Sequence, residues 1–102
     1  MDATGGQEIS KRGEAEIERR KTRNERKFSH WEELSDGGRK YWSEITGKLG
    51  FKARYVKETN IKEETVRFYQ EIYDTHDDLV EVHEKFPVNL GHRRLAGGKD
   101  EN

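Results

Sequence analysis

The chain has 102 residues, of which 29% are hydrophobic and 40% are charged, against the near-half apolar and quarter charged of ordinary globular domains, so it supports one domain at most and only a small core. A net charge of −1 excludes a molecule drawn as a whole to nucleic acid or to an anionic membrane. The absence of cysteine excludes disulfides, thiolate catalysis and Cys-based metal sites.

The chain opens on MDATGGQEIS, which has neither a charged n-region nor an apolar h-region. No signal peptide is expected, and a soluble cytoplasmic protein is the default. Residues 1–13 read as a disordered tail, and 96–102, AGGKDEN, as another. Between Lys11 and Lys27 stand eight Lys or Arg against four Glu, a local surplus of +4. A basic arm on a mildly acidic body points to an anionic partner or to an arm folded on its own body. Good helix formers run from Glu14 onward, with Glu16–Arg20 and Glu18–Lys21 at favourable spacings. Arg19, Arg20 and Arg23 are the arm's candidate phosphate contacts. Phe28, Trp31 and Leu34 recur three apart, and Ser29 with Glu32 has capping-box spacing, so helix is expected over residues 14–34. Asp36-Gly37-Gly38 stops it.

Four strands are expected next, as an antiparallel meander over residues 39–88. Arg39–Thr46 alternates well enough for a first strand, although it also resembles a helix ending at Gly47 or Gly50. Gly47-Lys48-Leu49-Gly50 suits a hairpin loop. Phe51–Thr59 and Thr65–Tyr73 follow, separated by Asn60–Glu64. Asp74-Thr75-His76-Asp77 supplies turn residues, Asp78–Phe86 is the last strand, and Pro87 ends it. Leu90 or Leu95 adds a short terminal contact. The fold class is therefore α+β: an N-terminal charged helix packed on a four-stranded antiparallel meander.

Apolar alternation aligns Ile72 with Val80 and Gln70 with Val82. This gathers Phe51, Ala53, Tyr55, Val66, Phe68, Ile72, Val80 and Val82 on a core face. The opposite face then carries Trp42, Arg54, Arg67, Tyr69, Tyr73, His83 and Lys85, a mixture suited to stacking bases and holding phosphates, or to a protein interface. The same register opposes Glu71 to Glu81 and Arg67 to Lys85, at a few tenths to roughly 1 kcal/mol each. Burial is worth about 1.5–3 kcal/mol per large apolar side chain, so the apolar pattern should prevail unless a bulge relieves the charges locally.

Of the four histidines, His30, His76, His83 and His92, none forms an HxH or HxxxH pair, and no metal or cofactor is expected. The resulting reading is a small non-enzymatic binding or adaptor protein using the aromatic and basic sheet face and the basic helix. Its partner would be nucleic acid or a protein complex, not a membrane. The enzymatic alternative is a small metal-independent, toxin-like ribonuclease with His83, Glu81, Arg54 and Arg67 on one face. An exposed edge strand makes homodimerisation by strand addition a further expectation.

Overall fold

The computed structural model describes residues 10–95. The helix α1 spans Lys11–Lys27 and is followed by β1 (His30–Glu33), β2 (Arg39–Thr46), β3 (Lys52–Thr59), β4 (Thr65–Tyr73), β5 (Leu79–Phe86) and β6 (Gly91–Arg94). The six strands form one sheet in chain order, with every neighbouring pair antiparallel. The α+β class and the meander are as the sequence implies; the sheet has six strands rather than four. No helix among the described residues is long and apolar enough to cross a membrane. The tails at 1–9 and 96–102 lie outside the described residues.

The helix begins at Lys11, inside the stretch expected to be a tail. Ser10 is its cap: the side-chain oxygen accepts from the Gly13 amide at 3.0 Å. Arg26 and Lys27 in the last turn complement the helix dipole. The helix stops at Phe28, whose amide still closes on the Asn24 carbonyl at 2.9 Å while its own backbone is extended. The expected continuation to Leu34 is overturned. Residues 30–33 pair with β2 instead, with Trp31 opposite Tyr41 and Glu33 opposite Arg39. In that position the Trp31 ring receives the Arg39 guanidinium at 3.8 Å. The three-residue spacing of Phe28, Trp31 and Leu34 therefore reflects one buried helix-end residue and one edge strand, not a helical face.

Three hairpins share one loop geometry. In each, the first loop residue and the one three positions later close a turn, and the latter has positive φ: Gly37 at 91°, Glu63 at 65° and Asp77 at 66°. This is a tight turn followed by a left-handed residue. Asn60 and Asp74 reinforce their loops by accepting amides two and four residues on, at 2.8–3.0 Å. The β2–β3 connection is the Gly47–Gly50 loop expected from sequence, with a short 3-10 turn over Lys48–Gly50.

The sheet has two unlike faces. The helix face carries Arg39, Tyr41, Tyr55, Lys57, Phe68, Gln70 and His83, and α1 lies against its β2–β3 part. Asn24 Oδ1 accepts from Lys57 Nζ at 2.9 Å, Glu25 pairs with Arg39 at 2.7 Å, and the Phe28 and Tyr41 rings are 5.9 Å apart. The open face carries Trp42, Arg54, Val56, Glu58, Arg67, Tyr69 and Tyr73. The core is divided between the faces: Phe28 and Tyr41 are buried on one, Val56 and Tyr69 on the other. Val56 lies in a cross-strand row between Trp42 and Tyr69, which shield it without a second layer. The expected single core face is thus not formed, and Phe51 and Val66 are exposed.

The register of β5 also departs from the apolar alignment. Two shifts in the β4–β5 ladder place Gln70 opposite His83, Glu71 opposite Val82 and Ile72 opposite Glu81. The irregularities remove both like-charge oppositions, and Arg67 Nε now donates to Glu84 at 3.1 Å. Their second effect is to turn His83 and Lys85 to the helix face.

Candidate functional site

The residues expected to form one basic and aromatic surface are split between the faces. Trp42, Arg54, Arg67, Tyr69 and Tyr73 share the open face; His83, Lys85 and Glu81 occupy the other. Both open-face arginines are already engaged. Arg54 is 2.7 Å from Glu44 and 4.0 Å from Glu71, and Arg67 contacts Glu84 and lies 3.7 Å from Glu58. Their guanidinium groups also cover the Tyr73 and Tyr69 rings, at 5.2 and 4.0 Å. Tyr69 donates to Glu58 at 3.0 Å and Tyr73 to Glu71 at 2.9 Å; burial first, and these carboxylates second, raise both phenol pKa values. His30 stacks on Trp42 at 5.5 Å. This face is a closed ladder of alternating charge, with its donors turned toward its own carboxylates rather than toward phosphate. The four-residue set expected for a ribonuclease cannot act together, because Arg54 and Arg67 are separated by the sheet from His83 and Glu81.

On the helix face, from β3 across to β6, a different constellation forms. Tyr55, Gln70, His83 and His92 stand directly opposite one another across β3, β4, β5 and β6. Gln70 Nε2 donates to the Tyr55 hydroxyl at 3.1 Å, and the His83 and His92 rings are 4.4 Å apart at 53°. Glu81 stands two residues before His83 and reaches His92 Nδ1 at 3.0 Å. An ionised carboxylate only accepts, so Nδ1 carries a proton, and in the neutral ring Nε2 is the nitrogen with the lone pair. The His92 side chain is 45% exposed.

His83 is held differently. Its Nε2 lies 2.7 Å from Asn89 Oδ1, which also accepts from the Gly91 amide at 3.0 Å. Asn89 thereby fixes the proton on His83 Nε2, while the buried Nδ1 has no partner. His83 packs against His92 rather than presenting a free nitrogen of its own. Lys85 completes the site: its ammonium lies 5.3 Å from the Tyr55 ring centre and 5.8 Å from that of Phe68. Arg94 is opposite Glu81 on β6.

His92 was missed by sequence reasoning because GHRR contains no apolar residue from which to read a strand. The one signal was parity: once a strand forms after the Asn89-Leu90-Gly91 turn, His92 falls across from His83. Among the described residues, no group of three His, Asp or Glu side chains converges as a metal-ion site. Compared with known protein families, characterised proteins and solved structures, the chain matches none.

Proposed function

We propose that the protein is a small ribonuclease that needs no metal ion, with His92 as general base. The observation that carries this reading is the Glu81–His92 pair, which orients an exposed imidazole on the helix face, where the Lys85 ammonium lies over Tyr55 and Phe68. A carboxylate that fixes one ring nitrogen and leaves the other free is the standard requirement of a histidine base. Such a base acts on RNA, where the 2′-hydroxyl is an internal nucleophile. His92 Nε2 takes the 2′-hydroxyl proton as that oxygen bonds to the adjacent phosphorus. Lys85 offsets charge growing on the non-bridging oxygens. The bond from phosphorus to the 5′ oxygen breaks, and this oxygen takes a proton from solvent. His92 then returns its proton to solvent, leaving a 2′,3′-cyclic phosphate and a 5′-hydroxyl. Tyr55 and Gln70 flank the site as a stacking and hydrogen-bonding platform for bases.

Incubation of the purified chain with RNA and with DNA of the same sequence, in chelator, tests the reading. RNA cut to cyclic-phosphate ends, DNA left intact and loss of cutting in His92→Ala are the expected results. RNA bound but uncut would instead establish the non-enzymatic binding reading on this face. No RNA binding would leave a protein partner, met through the open face with its half-buried aromatic and charged residues, as the reading to test.

A further inference from the structure

We infer that the helix face carries a track for single-stranded RNA, in which Arg23 and Lys27 of α1 and Lys57 of β3 hold the strand that Lys85 and His92 act upon. This deepens the ribonuclease reading and rests on it for the role of His92, while the track itself is a separate feature of the surface.

The orientation of α1 supplies the first argument. Successive residues are turned by roughly 100° around a helix. Asn24 points at Lys57 on β3, and Glu25, next around the helix, reaches back to Arg39 on β2. Arg23 lies on the other side of Asn24, and Lys27, four residues after Arg23, returns to that side. The basic flank of α1 therefore faces away from β2, toward β4 and β5. The lowered pKa of Lys57 agrees: burial is the main cause, and Lys27 and Arg23 are the next contributors.

The second argument is continuity. Lys57 is directly opposite Phe68, and the Lys85 ammonium lies over both Phe68 and Tyr55, next to the row that ends in His92. From β3 to β5 this covers two strand spacings, about 10 Å. Cations and aromatic rings thus alternate from the helix to the histidines, the composition that holds a flexible strand by its phosphates and stacks its bases. On this face of β3, β4 and β5 the one carboxylate in the ladder is Glu81, already bonded to His92, whereas the open face carries Glu58, Glu71 and Glu84 on the same strands. An unpaired strand suits this occupant better than a duplex, whose stacked bases would not reach Phe68 and Tyr55.

The test compares three RNA substrates: a dinucleotide, a single-stranded oligonucleotide and a blunt duplex of the oligonucleotide's length. The parent protein should prefer the single strand over both. In R23A/K27A the preference for the oligonucleotide over the dinucleotide should fall about tenfold, and the salt dependence of oligonucleotide binding should weaken by roughly 1.4 in log–log slope. Circular dichroism checks that α1 is retained. An unchanged preference, or equal cutting of duplex and single strand, overturns the track. Oligonucleotide binding by His92→Ala, with and without R23A/K27A, separates the two readings. Loss of affinity supports the track even if the parent cuts nothing and the catalytic reading fails. Equal affinity overturns the track even if cutting is observed.

Discussion

Glu81 and His92 come from adjacent strands and meet at 3.0 Å, one residue row away from the direct pairing of His83 with His92. The carboxylate fixes the imidazole proposed as the general base, and the neighbouring histidine packs against its ring. Removing the base in His92→Ala should lower RNA cleavage by about 10²–10⁴-fold. Glu81→Gln removes a charge-assisted hydrogen bond worth about 1.5–3 kcal/mol, so cleavage should fall by roughly 10–100-fold. Single-turnover rates measure both. A His92→Ala variant as active as the parent would remove His92 from the mechanism.

The two faces should respond differently to loss of charge. Arg54 and Arg67 are bound to carboxylates of their own sheet, so R54Q/R67Q should leave RNA affinity within about twofold of the parent while weakening stability by roughly 0.2–1 kcal/mol per exposed pair. Among the described residues Lys85 has no carboxylate partner to free, and Lys85→Ala should weaken transition-state stabilisation, with cleavage down about 10²-fold. Fluorescence-anisotropy titrations and initial rates decide the matter. A larger loss of affinity in R54Q/R67Q than in Lys85→Ala would move the binding surface to the open face.

The meander was legible because its strands and turns carry local signals: alternation in Thr65–Tyr73, and turn residues at Asn60 and Asp74. Both shorter edge strands were not. In β1 the sequence HWEE has too little alternation to outweigh the helical spacing of Phe28 and Trp31, and in β6 GHRR has no apolar residue at all. The site failed for a related reason. Apolar periodicity sets register only where one face is buried, whereas this sheet buries Tyr41 on one side and Val56 on the other. With neither face dominant, cross-strand charge decides locally. The shift that brings Arg67 to Glu84 is the same shift that carries His83 and Lys85 across the sheet.

Tyr41 sets the alkaline limit of the fold. It is fully buried, donates to the Glu63 carboxylate, and accepts from Arg39 at 3.2 Å. Burial first, and the Glu63 contact second, push its pKa up to about 12 from the usual 10.0. The fold therefore favours the protonated phenol. This contribution is whole below pH 10 and is lost as pH climbs from 10 toward 12. Tyr69, whose pKa is also raised by burial and by Glu58, adds to the loss at the upper end. Urea midpoints measured across this range should fall steadily. Tyr41→Phe should be about 1–3 kcal/mol less stable at neutral pH, because the buried Glu63 loses its donor, yet show a shallower alkaline decline. An equally steep decline in Tyr41→Phe would assign the titration elsewhere.

Leu49 and Glu63 both occupy left-handed backbone, at φ 63° and 65°, and glycine should have opposite effects at the two. A side chain in this region costs roughly 1–2 kcal/mol relative to ordinary backbone. Glycine removes the strain but adds unfolded-chain entropy worth about 0.4–1 kcal/mol. At Leu49, whose side chain is 86% exposed, little else is lost, so Leu49→Gly should stabilise by up to about 1 kcal/mol. At Glu63 the carboxylate is buried and holds the Tyr41 hydroxyl. Glu63→Gly should therefore destabilise by about 1–2 kcal/mol, as the unsatisfied phenol outweighs the relieved backbone. Adding Tyr41→Phe to Glu63→Gly removes the stranded hydroxyl and should recover part of the loss. Chemical denaturation of the three variants gives the comparison, and a stabilising Glu63→Gly would show that this carboxylate contributes less than the strain it imposes.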